Sequence, residues 1–439
     1  MDLNIIEWSS LSEADRERLL ARPALARSGE LSKRVAEIVA AVRREGDAAL
    51  KRLTEEIDGV TLTSLEVSPS EFEAAATALT ADQKAAIESA AQNIETFHAA
   101  QRPAAIDLET QPGVRCERVV RPLKRVGLYV PAGTAPLPST ALMLGVPARL
   151  AGCPVRALCC PPGKSGAIDP AVLFAAGLCG IDRVFKVGGA QAIAALAYGT
   201  ETVPKVDKIF GPGNAWVTEA KTQVDLDPEG ARKDYPAGPS EVLVIADKSA
   251  RPEFVAADLL SQAEHGVDSQ SILVTTSRRL AAAVIPAIED QLAQLDRREI
   301  CEQSLAHAAL IVADDAATAV AISNRYAPEH LILQLADARR WLESIDSAGS
   351  VFLGPWTPES VGDYCSGTNH VLPTYGYARS YSSLGLADFL RSMTVQELSP
   401  QGISTLGPVA ATLANTEGLD AHARAVTLRL EALGTESER

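Results

Sequence analysis

Six histidines are spread along the chain, and four of them stand near groups with which an imidazole can do chemistry. Gln262 and His265 are three residues apart in a stretch patterned as helix, so their side chains share one face, and Gly266 ends that helix just beyond them. Glu329 and His330 are adjacent, directly before the apolar run Leu331-Ile332-Leu333-Gln334-Leu335. On an extended segment neighbouring side chains point apart, so the two groups serve two sides of one cavity without pairing, which suits two separate proton transfers. Gly362-Asp363-Tyr364-Cys365-Ser366-Gly367-Thr368-Asn369-His370 reads as a polar loop in which Asp363 is a ligand and His370 a substrate reader. Glu417, Asp420 and His422 gather near the C-terminus. Gln262, His265, Asp363 and His422 make a chemically reasonable N and O donor set for zinc with positions left open for substrate. Each feature also has an ordinary reading. A Gln/His pair without H-E-x-x-H is usually a satisfied surface or core pair, and spacing alone does not make a metal site.

Two phosphate-binding patterns fail on inspection. Gly163-Lys164-Ser165 resembles the end of a P-loop, but the first glycine of that pattern falls on Leu158. Gly211-Pro212-Gly213 begins like a dinucleotide fingerprint, yet Trp216 stands where the third glycine belongs and Pro212 removes a donor. The glycine turns Gly188-Gly189-Ala190-Gln191 and Gly211-Pro212-Gly213-Asn214 remain, at strand ends where a doubly wound fold takes ligands.

The elements that must carry these groups are of α/β type. From Cys153 onward a buried-strand run (155–160) is followed by a helix (167–180), a strand (183–187) and a helix (191–198). The order returns after Gly238, with strands at 241–247 and 271–276 and helices at 252–264 and 277–292. Upstream lie a short helical arm capped at Ser12 and broken by Pro23, long helical patterning from Leu31 to Phe97, and β-branched alternation from Val114 to Val130. The tail from Leu384 to Glu438 reads as mostly helical and stands outside the alternation. The chain has 439 residues, 46% apolar and 22% charged, enough for a large core. Its 56 acidic against 41 basic residues give a net charge of −15, which argues against a nucleic-acid partner. The N-terminus lacks the pattern of a secretory signal, and the longest apolar stretch, 170–181, is short of the roughly 20 residues that span a bilayer. Seven cysteines without a C-x-x-C pair fit buried thiols in a reducing cytoplasm.

Several separated blocks resemble histidinol dehydrogenase: Arg125-Val126-Gly127-Leu128-Tyr129-Val130-Pro131, Val187-Gly188-Gly189-Ala190-Gln191-Ala192-Ile193, Gly211-Pro212-Gly213-Asn214, Ala237-Gly238-Pro239-Ser240-Glu241, Leu260-Ser261-Gln262-Ala263-Glu264-His265-Gly266, Ala327-Pro328-Glu329-His330-Leu331 and Ser366-Gly367-Thr368-Asn369-His370-Val371-Leu372-Pro373-Thr374. They occur in the family's order. The resemblance implies an enzyme that uses one Zn2+ per subunit and NAD to oxidise L-histidinol to L-histidine through bound L-histidinal, at the end of histidine biosynthesis in the cytoplasm. Carried over residue by residue, it puts Gln262, His265, Asp363 and His422 on the metal. Ser240, Glu329, His330, His370 and Glu417, with the metal ligands, would contact substrate, and Tyr129, Gln191 and Asn214 would line the NAD site. His330 would be the base for the alcohol and Glu329 would activate water. It also implies two Rossmann-like domains in an intertwined homodimer: residues 27–128 with 238–383 on the metal and substrate side, 129–237 on the NAD side, an arm at 1–26, and a segment 384–439 that completes the partner subunit's site. Departures from the family pattern are Trp216, Tyr235, Cys365 and the turn Ala132-Gly133-Thr134.

Three other functions compete. A relative that oxidises another amino alcohol or diol need not keep His370 and Glu417. A zinc hydrolase would use Glu329 on water and form no NADH. A two-lobed binding protein would need neither Glu329 nor His330.

Overall fold

The computed structural model describes residues 3–22, 29–132, 135–235 and 238–437. Pro23, the expected boundary at 26/27, Gly133, Thr134 and Ala237 at the expected boundary 237/238 lie outside the described residues. In chain order the strands are β1 (Ile5–Glu7), β2 (Ile106–Gln111), β3 (Val114–Pro122), β4 (Arg125–Tyr129), β5 (Val155–Cys159), β6 (Arg183–Phe185), β7 (Lys208–Phe210) and β8 (Arg232–Lys233). They continue with β9 (Glu241–Ala246), β10 (Gln270–Thr275), β11 (Ala309–Val312), β12 (His330–Gln334), β13 (Ser350–Leu353) and β14 (Leu390–Leu398).

The chain divides into two compact units, Met1–Gln101 with Leu123–Phe389, and Arg102–Pro122 with Leu390–Arg439. The first unit holds two parallel sheets, one of six strands in the order β1-β11-β10-β9-β12-β13 and one of five in the order β6-β5-β4-β7-β8. Parallel strands covered on both faces read as unbroken apolar runs, and all six residues of β9 are buried for this reason. Val242, Val244 and Ala246 meet the helix Pro252–Ala263 on one face, while Leu243 and Ile245 pack with Tyr326 on the other. The helix expected at 13–22 runs Glu13–Leu19, and Ser12 does cap it, its hydroxyl accepting the Asp15 N–H.

Two sequence expectations are revised and one is extended. The helices Gly29–Glu45 and Asp47–Asp58 were assigned with residues 238–383, but Val35, Val42, Leu50 and Leu53 share a core with Tyr129, Ala157 and Phe185, on the five-stranded sheet. The arm at 1–26 is no appendage, because β1 pairs with β11 at the edge of the six-stranded sheet and Trp8 and Leu20 enter its core. The segment 384–439 is mostly helical as expected, in Pro400–Thr416 and Asp420–Ser437, but the nine-residue strand β14 precedes those helices, paired antiparallel with β3.

The second unit consists of the sheet β14-β3-β2 and those two helices. Every residue of β2 and nearly all of β14 are exposed, including Leu108, Met393 and Val395, and Leu413 on the first helix is 60% exposed.

Candidate active site and metal centre

Glu329 and His330 stand where β12 begins, at the amino edge of the six-stranded sheet. The chain reaches them through Ala327, held left-handed at φ 54, and Gly349 packs so close that a Cβ there would sit 2.6 Å from the Glu329 carbonyl oxygen. The Glu329 carboxylate accepts the Glu241 N–H at 2.9 Å. His330 Nδ1 lies 3.2 Å from the Glu241 carbonyl oxygen, to which it donates. That bond leaves Nε2 as the basic nitrogen of the neutral ring, and Nε2 is buried without a hydrogen-bond partner.

Glu329 and His330 are closer than strand alternation foretells, with His330 Nδ1 3.7 Å from Glu329 Oε2. Glu329 precedes the strand, so the alternation does not yet apply to it. Burial pushes the Glu329 carboxyl up to about 7, against the pull of His330 and the Glu241 N–H. Burial opposes charging of His330, but Glu359, Glu329 and Asp363 outweigh it and hold the imidazole well above its ordinary pKa.

Asp363 lies in the short helix Glu359–Tyr364, where a loop was expected, and the polar loop begins only after it. Its Oδ1 is 3.4 Å from His330 Nε2. Burial resists its ionisation, yet the His330 contact and the surrounding histidines bring its pKa below the ordinary value. His265 follows the end of the helix Pro252–Ala263 and turns Nδ1 to the Ser261 carbonyl at 3.0 Å, which frees Nε2 for a ligand. Gln262, in the last turn of that helix, is fully buried and neither its Oε1 nor its Nε2 has a hydrogen-bond partner. A buried amide left open on both sides, beside a free imidazole nitrogen and a carboxylate, fits an N/O-liganded dication.

One acid in this cluster was not singled out from the sequence. Glu359 is 1% exposed, both its oxygens lack hydrogen-bond partners, and it stands 3.5 Å from His330 Nδ1. Its ligating atom and those of His265 and Asp363 all lie within 4.8 Å of one another. Burial raises the Glu359 carboxyl well above its usual range. The signal was the four-residue spacing of Glu359 and Asp363 behind Pro358, a helix start with two acids on one face.

His370 is turned by two bonds, Nδ1 donating to the Asp363 carbonyl at 2.8 Å and Nε2 accepting from Thr140 Oγ1 at 3.2 Å, and burial lowers its pKa. A cavity of about 520 Å³ joins these groups, lined by Ser240, His265, Glu329, His330, Asp363 and His370 and also by the turn Gly211-Pro212-Gly213-Asn214. The side of the cavity that carries Glu329 and His330 is thus the amino edge of one sheet, and its glycine turn lies at the carboxyl end of β7 in the other. Gly211 has φ 124, and its N–H and carbonyl are held by Asp234 and Lys221 at 2.9 Å each. Asn214 caps the next helix, accepting from the Trp216 and Val217 N–H groups. Tyr129 and Gln191 are buried behind the neighbouring turn, where the Tyr129 hydroxyl accepts the Gly189 N–H at 3.1 Å and Gln191 Nε2 has no partner. Glu417 and His422 belong to the second unit and are exposed. The other two histidines are not in this cluster: His98 is a satisfied core residue between the Ile94 carbonyl and Asn369, and His307 is exposed.

The family model described as histidinol dehydrogenase matches residues 21–430. The chain belongs to the histidinol dehydrogenase family. The histidinol dehydrogenase of Vibrio vulnificus (strain CMCP6) is 58% identical over 431 residues, 98% of this chain and 99% of that one. The one from Yersinia pestis is 54% identical over 429 residues, covering 98% and 96%. A crystal structure of histidinol dehydrogenase from Elizabethkingia anophelis superposes with a TM-score of 0.94 at 46% identity, over 99% of both chains. Histidinol dehydrogenases are oxidoreductases of histidine biosynthesis.

Proposed function

We propose that this chain oxidises L-histidinol to L-histidine in two successive NAD-linked steps, through L-histidinal kept in the cavity, as a zinc-dependent homodimer in the cytoplasm. The observation that carries this reading is the buried pair of His330 and Glu329, with His330 Nε2 turned to Asp363, in one cavity with the Asn214 turn. In the first step the carbinol carbon would give a hydride to nicotinamide and its hydroxyl a proton to His330 Nε2, neutral once zinc offsets the carboxylates that favour its charging, leaving the aldehyde. In the second, the Glu329 carboxylate would take a proton from water as its oxygen adds to the aldehyde carbon, the adduct would give its hydride to a second NAD, and the acid formed would release its proton to solvent as the carboxylate. Each molecule of substrate thus yields two NADH.

Gln262, His265 and Asp363 would hold zinc, with His422 as a fourth ligand. The ion supplies positive charge among the carboxylates and open positions for the amine and imidazole nitrogens of histidinol. NAD would lie against Asn214, Gln191 and Tyr129 and accept the hydride. Ser240 and His370 would orient the substrate, and a closed site would keep the aldehyde from escaping. Glu417 and His422 would come from the partner subunit. The exposed Leu108, Met393, Val395 and Leu413 of the second unit support such pairing, because an apolar surface of that kind is ordinarily covered. Among the described residues no helix is long and apolar enough to cross a membrane.

The test is the NADH yield when a limiting amount of L-histidinol is exhausted, before and after zinc is removed by a chelator. Two NADH per histidinol, lost with the metal and restored by zinc, is expected. One NADH would make the protein a simple alcohol dehydrogenase, and none would restore the hydrolase or binding-protein reading.

A further inference from the structure

The arm that supplies β1 also reaches the residues that anchor Glu329 and His330. Arg22 lies across from Glu241 with Nε 2.5 Å from Oε2 and Nη2 2.7 Å from Oε1, a two-pronged charge-assisted bond. The same Nη2 is 2.8 Å from the Tyr326 carbonyl and 3.3 Å from that of Ala327. The guanidinium stacks 3.9 Å above the Tyr326 ring, and the two charged side chains are only 12% and 2% exposed. The Tyr326 hydroxyl adds a second tie, 3.2 Å from Glu241 Oε2 and 2.8 Å from Gln270 Oε1.

What Arg22 bridges gives the arrangement its meaning. Glu241 is the first residue of β9, and its main chain holds both proton-transfer groups, the N–H on Glu329 and the carbonyl on His330 Nδ1. Tyr326 and Ala327 form the corner from which the chain runs through Pro328 into Glu329 and His330, and Ala327 is held there left-handed. One guanidinium therefore grips the main-chain anchor of the two groups and also the segment on which they ride. Sheet hydrogen bonds align β9 and β12 only from His330 onward, paired with Val242, so Glu329 itself lies outside that ladder. A buried ion pair is not in itself a device for stability, since well-packed neutral pairs commonly serve as well. Its use here is geometric.

We propose that Arg22 is a positioning residue for both oxidation steps: by bridging Glu241 to the Tyr326–Ala327 corner it sets where the Glu329 carboxylate and the His330 imidazole point. The proposal rests on the assignment of those two residues to proton transfer. Because both groups hang on one anchor, its disturbance slows both steps together, unlike replacement of either group alone.

Two variants test this, Arg22→Lys, which keeps the charge and loses the fork, and the neutral pair Arg22→Met with Glu241→Gln, which leaves no buried charge unpaired. Thermal unfolding, bound zinc, and kcat and KM are measured with L-histidinol and, separately, with L-histidinal, beside the parent protein. Both variants are expected to fold and keep the parent's zinc content. In both, kcat should fall roughly 10- to 100-fold with either substrate, the scale of an ångström-sized misplacement, while KM changes less than about 3-fold. The proposal is overturned by a folded neutral pair with kcat within about 2-fold of the parent, by a loss confined to KM, or by a loss in one step only. Failure of both variants to fold would make Arg22 a structural residue and overturns it equally. A parent that makes no NADH from either substrate would instead overturn the functional reading on which the proposal stands.

Discussion

Replacement of Glu329 by Gln separates a carboxylate tuned for base catalysis from one that only binds. Burial brings the Glu329 carboxyl from the ordinary 4.5 to about 7. A base acts in its ionised form, and a group with that pKa is about one tenth ionised at pH 6 and about nine tenths at pH 8. The oxidation of L-histidinal should therefore speed up about 10-fold across those two units, whereas a carboxylate near its ordinary pKa would give a flat profile there. Glutamine can still accept the Glu241 N–H through its amide oxygen, so the local fold should survive. It cannot take a proton from water, and the aldehyde step should drop by about 10²- to 10⁴-fold, equivalent to roughly 3–5 kcal/mol of barrier. The assay is single-turnover NADH formation from L-histidinal between pH 6 and pH 8. A flat parent profile, or a variant that keeps the step within about 3-fold of the parent, would refute the reasoning.

His330→Asn should suppress the alcohol step more than the aldehyde step, read by comparing single turnovers from the two substrates; equal losses would end the division of roles. Asp258→Asn should stabilise the protein at neutral pH. Asp258 is 5% exposed and burial lifts its carboxyl from 3.8 to about 6, against the pull of the Gln334 amide at 2.6 Å. Its folded pKa exceeds the unfolded one, so stability is present below pH 3.8 and is lost as pH rises through 6. The variant should gain about 3 kcal/mol at pH 8 but only about 1 kcal/mol at pH 4.5, in urea titrations, and an equal gain at both would contradict the burial. Gly211→Ala should weaken NAD binding and cost about 1–3 kcal/mol of stability. A Cβ there would stand 2.1 Å from the Tyr129 carbonyl oxygen, and calorimetric NAD titration reads the loss.

Parts of this were legible because one element sufficed to state them. The strand–helix alternation was visible since strands buried on both faces carry continuous apolar runs, and the helix cap at Ser12 and the helix-end pair Gln262/His265 are local patterns. The resemblance groups the helices at 29–58 with 238–383 whereas they pack on the five-stranded sheet, and their amphipathic stripes tell that a face is buried and not what buries it. Strand β14 was missed because its face is exposed, with charged and polar residues among Met393, Val395 and Leu398 that give no core signal. The short helix Glu359–Tyr364 hid behind Gly362 and its polar neighbours, and with it the contribution of Glu359. Arg22 could not be read at all, since its partner lies 219 residues away. Of the donor set Gln262, His265, Asp363 and His422 expected from the sequence, the first unit gathers His265 and Asp363, and it adds Glu359.

The edge strand β1 has a consequence for how the chain is made. Its partner for Ile5 is Leu310, some 300 residues later. At about 5–20 residues per second, the first strand leaves the ribosome roughly 15–60 s before the edge it must join exists. During that interval Ile5 and Ile6 are an unpaired apolar stretch, open to a chaperone at the ribosome exit or to a neighbouring nascent chain. The arm can settle only after β9, β10 and β11 have formed their sheet, so residues made some 300 positions before their partners are among the last to fold.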